Sequence, residues 1–226
     1  MVSDIDIDIA IERAIREYLA KHTPHVGFLG EEEGPAPGDH QMTWALDPID
    51  GTANFVQDIP LFAISLALIR EEKPVLAIID VPAMRGRYSA CLGNGARYGG
   101  ESLRVRSAAR LSEAIVTIGD YAVGDNADAR NKLRLAVTQQ LAGQALRVRM
   151  LGSAAIDLAW LAHGRTDAAI IFGNKPWDTA AGVILVREAG GHVIDHNGTQ
   201  HTFHSATTIA VPPPLQSQVL DLVQGA

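Results

Sequence analysis

The spacing of apolar positions changes several times along the chain, and each change predicts an element. Asp and Ile alternate over positions 4 to 9. Ile11, Ala14, Ile15, Tyr18 and Leu19 then fall on one helical stripe, predicting a helix to about His22 that Pro24 stops. Val26-Gly27-Phe28-Leu29 predicts a short strand running into Glu31-Glu32-Glu33. Residues 34–39, rich in Gly and Pro, predict a loop, and Thr43–Leu46 a buried strand ending at Asp47. Phe62–Ile69 and Val75–Asp80 read as strands joined by the polar turn Arg70-Glu71-Glu72-Lys73-Pro74. Further turns at Arg85-Gly86-Arg87 and Gly93-Asn94-Gly95 imply an antiparallel or mixed sheet. Helices are expected over Ala129–Leu141, Ser153–Ala162 and Asp178–Ala189, the last closed by Gly190-Gly191, with a short one after Pro212-Pro213-Pro214. Strands are expected over Ala145–Arg149, Asp167–Phe172, His192–Asp195 and Thr207–Val211. This order predicts an α+β fold of layered helices and sheets in one domain over 1–226, its halves meeting near residue 125.

Length and composition narrow the picture. With 226 residues, 47% of them hydrophobic and 20% charged, the chain can bury a real core. Nineteen Lys and Arg against 26 Asp and Glu give a formal charge of −7, which argues against nucleic acid as a partner. An anionic substrate would then need a metal or local amides to hold it. Cys91 is the single cysteine, so no internal disulfide forms and a reducing cytoplasm is expected. Acids at Asp4 and Asp6 stand where a signal peptide carries basic residues. The run Leu61–Ile69 is too short for a membrane span, so a soluble protein is expected.

Carboxylates recur where predicted elements begin or end, in Gly30-Glu31-Glu32, in Asp47-Pro48-Ile49-Asp50-Gly51-Thr52 and in Trp177-Asp178-Thr179. Taken singly, each has a plain structural reading. Asp47-Pro48 and Asp50-Gly51 are turn chemistry, Glu31–Glu33 a solvated charge run, and Asp178 a helix N-cap. Together they offer hard oxygen donors from separate segments, which suit Mg²⁺. Pro48 fixes the backbone between two acids so that both can turn toward one point. Asp50-Gly51-Thr52 would open a helix whose free amides face an anion. Metal-binding acids beside an anion-binding amide cluster are what a metal-assisted phosphate hydrolase requires.

Trp44-Ala45-Leu46-Asp47-Pro48-Ile49-Asp50-Gly51-Thr52-Ala53-Asn54-Phe55 resembles the hallmark of the inositol monophosphatase family, Mg²⁺-dependent, lithium-sensitive phosphatases related to fructose-1,6-bisphosphatase. Gly30-Glu31-Glu32, Gly152-Ser153-Ala154-Ala155, Trp177–Gly182 and Glu188-Ala189-Gly190-Gly191 match further motifs in family order, from about Asp8 to Val211. The resemblance implies that family's layered α/β/α/β/α sandwich, shortened at the N-terminus, and a homodimer. It implies two or three Mg²⁺ ions. Glu31, Asp47 and the Ile49 carbonyl would hold the first, and Asp47, Asp50 and Asp178 the second. The Gly51 and Thr52 amides would bind phosphate. The Thr52 hydroxyl, oriented by Asp8 or alternatively Asp6, would position the attacking water, with Glu12 one helical turn beyond Asp8.

The implied substrate is a small phosphorylated alcohol, first inositol-1-phosphate, with histidinol phosphate and nucleotide phosphates such as phosphoadenosine compounds or NADP as alternatives. A non-catalytic scaffold on the same fold is the reading from another class. Two departures bear on this. Relatives carry further helical sequence before the position where this chain begins, which would open one side of the site or expose the Ile11/Ile15 helix. Ile171 stands where inositol-phosphate-cleaving relatives place a Glu, leaving Asn174 and Lys175 to contact substrate unless Ile171 is core packing. None of the eight histidines has zinc-ligand spacing. His201 and His204 are expected to be solvated in a loop, Cys91 packed, and Arg147 and Arg149 on a charged strand face.

Overall fold

A computed structural model describes residues 4–36 and 39–226, with the backbone alone at residues 4–6, 39 and 40. Helix α1 (Asp4–His22) begins seven residues before the apolar stripe. The Asp/Ile alternation is therefore helical. Strand β1 (Val26–Gly30) follows, then β2 (Gly34–Ala36) in part of the expected loop, of which Pro37 and Gly38 lie outside the described residues. The chain continues through β3 (Asp39–Asp50), α2 (Thr52–Val56), β4 (Ala63–Arg70), β5 (Lys73–Val81), β6 (Gly86–Cys91), β7 (Ala96–Tyr98) and β8 (Glu101–Ser102). These strands form an eight-stranded sheet in the order β2-β1-β3-β4-β5-β6-β7-β8, parallel only between β1 and β3. Glu71 and Glu72 both take positive φ (48° and 61°), the backbone that lets a two-residue turn follow the twist of β4 and β5.

The second sheet starts at β9 (Ile115–Ile118), four apolar-rich residues that the sequence reading passes over. After α3 (Ala127–Gln144) come β10 (Arg147–Arg149), α4 (Ala154–Ala162), β11 (Ala168–Phe172), α5 (Pro176–Glu188), β12 (His192–Ile194), β13 (Thr207–Val211) and α6 (Gln216–Gln224). Its order is β10-β9-β11-β13-β12, parallel across its first two pairings and antiparallel across the rest.

The layers follow from which faces are apolar. Ala63, Ala67, Ile69, Ala77 and Ile79 alternate onto one face of the large sheet and pack on α4 and α5. The same two helices meet Ala169, Ile171 and Ala210 of the small sheet. The small sheet's other face buries Ile118, Ile170 and Ile209 beneath Val137, Leu141, Val219 and Leu222 of α3 and α6. Helix α1 lies against β1 and β3. The result is the expected five-layer α/β/α/β/α order. Among the described residues, no helix is long and apolar enough to cross a membrane.

Candidate active site

Asp47 and Asp50 are three residues apart, so in an unbroken strand they would point to opposite faces. A one-residue bulge prevents this. Asp47 pairs with Ser65 and Asp50 with Ala63, so three steps along β3 match two along β4 and both acids reach one face. Pro48, which has no N–H to give to a ladder, sits within the bulge. The Ile49 amide donates to Asp47 Oδ1 at 3.0 Å. Both acids are buried, at 3% and 8% exposure.

The next residues turn the chain away. Gly51 has φ 97°, and a Cβ there would lie 2.9 Å from the Leu61 carbonyl oxygen, so only glycine fits this corner. Thr52 opens α2, and its exposed hydroxyl donates to the Ile49 carbonyl at 3.1 Å, joining two of the predicted functional groups. Asp50 reaches across to the start of α4. Ser153 Oγ, the Ala154 amide (3.2 Å) and the Ala155 amide (2.7 Å) all donate to it. Ser153 also caps α4 by accepting from the Ile156 amide. The 103-residue gap between Asp50 and Ser153 hides this capping role from the sequence.

Glu31 follows β1, and its amide donates to the Leu46 carbonyl at 3.1 Å, which extends the parallel alignment and sets Glu31 beside Asp47. Asp178 arrives from the first turn of α5, where its Oδ2 accepts the Lys175 amide at 2.7 Å. Ser65 Oγ donates to the Trp177 carbonyl at 3.3 Å, tying that turn to β4. Four carboxylates from three segments thus act on one another. Glu31 is exposed as a residue, yet loss of water around its carboxyl, with Asp178, Glu32 and Asp50 nearby, lifts it to about 7 against the pull of a hydrogen bond with Asp47. Burial, then Asp50 and Glu31, raises Asp47 well above the usual carboxylate range. Burial takes Asp50 to about 6 despite its hydrogen bonds, and burial also raises Asp178.

This donor set fits hard divalent cations, because oxygen-only ligands crowded without a counter-charge are relieved by a positive ion. Among the described residues no three side chains stand as a ready-made metal cage. Asp50, Asp47 and Asp178 are each turned toward backbone amides.

Other expected site residues are placed differently. Asp8 is buried at 3% on the face of α1 that packs on β1 and β3, while the Asp6 side chain lies outside the described residues. Glu12, four residues on, is fully buried and accepts from the Glu32 amide (2.9 Å), the Glu33 amide (3.1 Å) and Arg16 Nη2 (2.7 Å). A Cβ on Gly30 would overlap its carboxyl group. Asn174 does not join the carboxylates. Its Nδ2 donates to the Ser205 carbonyl at 3.2 Å and lies 3.5 Å from Thr179 Oγ1. Lys175 is exposed at the head of α5. Ile171 is buried in the core between the layers.

Three expectations need correction or completion. His201 is buried rather than solvated, bonded to Thr208 Oγ1 at 2.8 Å, because the loop after β12 folds back onto β13. His204 is exposed as expected, 3.2 Å from Glu72. Cys91 is exposed rather than packed, because it ends β6 with its side chain on the outward step of the pleat.

The model of the inositol monophosphatase family matches residues 5–225. The inositol-1-monophosphatase ImpA of Mycolicibacterium smegmatis is 35% identical over 219 residues, covering 97% of this chain and 79% of that protein. A protein of Xylella fastidiosa named Nus factor SuhB is 37% identical over 193 residues, covering 85% of this chain and 69% of its own length. The solved inositol monophosphatase of Anabaena superposes with a TM-score of 0.90 at 30% identity, over 97% of this chain and 86% of that one.

Proposed function

Since the chain belongs to the inositol monophosphatase family, a family of phosphoric monoester hydrolases, we propose that it is a Mg²⁺-dependent phosphatase acting on a small phosphorylated alcohol, first inositol-1-phosphate. The observation that carries this reading is the convergence of Glu31, Asp47, Asp50 and Asp178, where burial first and the neighbouring acids second lift Glu31 to about 7. Glu31, Asp47 and the Ile49 carbonyl would hold one cation, and Asp47, Asp50 and Asp178 a second. When bound, such ions supply positive charge for the phosphate oxygens and make water in the site more acidic. The Gly51 and Thr52 amides, at the corner that bends away from β3, would bind the phosphate. The Thr52 hydroxyl, already turned to the Ile49 carbonyl, would orient the attacking water, with Asp8 as the acid behind it. Asn174 and Lys175 border the turn that delivers Asp178 and would meet the leaving alcohol.

Phosphate release from inositol-1-phosphate, histidinol phosphate, a phosphoadenosine compound and NADP, each with Mg²⁺ and with EDTA, tests the reading. Turnover of one substrate that EDTA abolishes is expected. The relative named Nus factor SuhB favours a second reading, a scaffold on this fold. Metal binding without turnover of any of these substrates would support the scaffold and overturn the enzyme.

Protons and Mg²⁺ should compete here. A Glu31 group near 7 is mostly protonated at pH 6 and mostly ionised at pH 8, so metal binding expels a proton only at the lower pH. The half-saturating Mg²⁺ concentration is therefore expected to fall about tenfold from pH 6 to pH 8 for that one group. Calorimetric Mg²⁺ titrations at the two pH values check this. Equal affinities would show that no raised carboxyl lies among the ligands.

A further inference from the structure

A pocket of about 340 Å³ opens between α5, the β4–β5 turn and the loop after β12. None of Glu31, Asp47, Asp50 and Asp178 lines it. Its walls are largely apolar, with Ile69, Leu92, Val183 and Phe203 among them, and Arg187 enters from the last turn of α5. The Arg187 guanidinium is half-buried and donates from Nη2 to the His201 carbonyl at 2.7 Å. Among the described residues no carboxylate pairs with it, although guanidinium groups taken out of water ordinarily have an anionic partner. Burial alone lowers its pKa, with no acid opposing the shift. Its planar fork has donors to spare for a second acceptor.

The remaining charges around the pocket say which acceptor fits. Lys73 stands at the rim with Glu71 and Glu72, and Glu72 is turned to His204. Burial and the Arg187 charge hold His201 down at about 4, so that ring is neutral at pH 7. Glu71, Glu72 and Lys73 are all exposed and screened by water, so Arg187 is the one half-buried charge in the lining, which suits a monoanion better than a dianion such as a phosphate monoester. A single negative charge, presented as two coplanar oxygens, matches one guanidinium fork. The apolar walls suit a hydrocarbon body behind it.

We propose that this pocket binds a small monocarboxylate with an apolar body, its carboxylate on Arg187 and its hydrocarbon against Val183, Leu92 and Phe203. The pocket takes in Pro176 and Thr179, close neighbours of Asp178 on α5, but none of the four acids, so its test needs neither Mg²⁺ nor turnover. The whole chain, in EDTA, is titrated calorimetrically with 4-phenylbutyrate and with the uncharged 4-phenylbutyramide. Saturable one-to-one binding of the acid is expected, with the amide at least about tenfold weaker for want of the charge-assisted pair. Arg187→Gln should abolish binding of the acid. Because Arg187 also holds the loop at His201, a second variant guards against misfolding. Leu92→Glu adds a negative charge at an exposed rim position (54% exposed) and should weaken the acid at least about threefold without disturbing the core. Acid and amide binding equally, acid binding untouched by Leu92→Glu, or no binding of the acid at 10-fold excess over a roughly millimolar concentration would each overturn the proposal.

Discussion

Replacing Asp47 with Asn is expected to lower phosphate release at saturating Mg²⁺ by at least about a hundredfold, while the metal-free protein melts at a higher temperature. The two effects have one cause. Asp47 is the acid shared by both proposed cations and the one that burial, Asp50 and Glu31 all press toward its neutral form. Asn keeps the shape and can still accept the Ile49 amide, but removes a charge that the folded chain holds at a cost. The sign with pH follows. A carboxyl whose folded pKa is raised binds more protons in the native than in the unfolded state, so stability falls as pH rises through the window between the two values. The gain from Asn should therefore grow as pH rises through that window and be larger at pH 8 than at pH 5. Turnover assays, with thermal melts in EDTA at both pH values, separate the parts. Unchanged turnover would end the metal assignment, and a lower melting temperature at pH 8 would end the repulsion argument.

Glu12→Ala is expected to destabilise the fold by about 3 kcal/mol, a fall in melting temperature of roughly 6–12 °C for a chain of this size. Glu12 is fully buried between α1 and the turn after β1, where its two oxygens satisfy two amides and Arg16. Alanine leaves those donors facing a gap and frees the turn that begins at Glu31. The loss should thus appear in activity too, as a raised Mg²⁺ requirement. Glu12→Gln, which keeps one oxygen acceptor, should recover part of the stability. Denaturant unfolding of both variants, with Mg²⁺ titration of activity, tests this. A near-wild-type Glu12→Ala would mean that the turn is held by other contacts.

Local patterns made most elements legible. The strands expected over Phe62–Ile69 and Val75–Asp80, the helix start at Ser153 and the Gly190 stop each rest on residues close in sequence, and each is found within about two residues of its expected place. What escaped depends on distant partners. β9 is four residues long, and only its place between β10 and β11 makes it a strand. His201 looks like loop until β13 supplies Thr208. Glu12 reads as a neighbour of Asp8, and its role appears only when residues 31–33 fold over it. In the site, Asp47, Asp50 and Asp178 stood out by spacing and resemblance. The bulge that turns the first two to one face was foreshadowed by Pro48, whereas the use of Asp50 as a cap for α4 was not. Glu188, noted as part of a motif, turns out to accept the amides of Gly93 and Gly95 (3.0 and 2.8 Å), fastening the end of α5 to the β6–β7 turn.

The order in which the layers are encoded has a consequence for how the chain is made. The large sheet is complete at Ser102, but the helices that cover its inner face end at Ala162 and Glu188. At ordinary elongation rates the ribosome takes on the order of ten seconds to deliver the last of them. During that interval Ala63, Ala67, Ile79 and their neighbours have no native cover. A nascent chain stalled between the two points should accordingly be a strong client for a hydrophobic-binding chaperone, and release from it should coincide with the emergence of α5, the same event that brings Asp178 to its three partner acids.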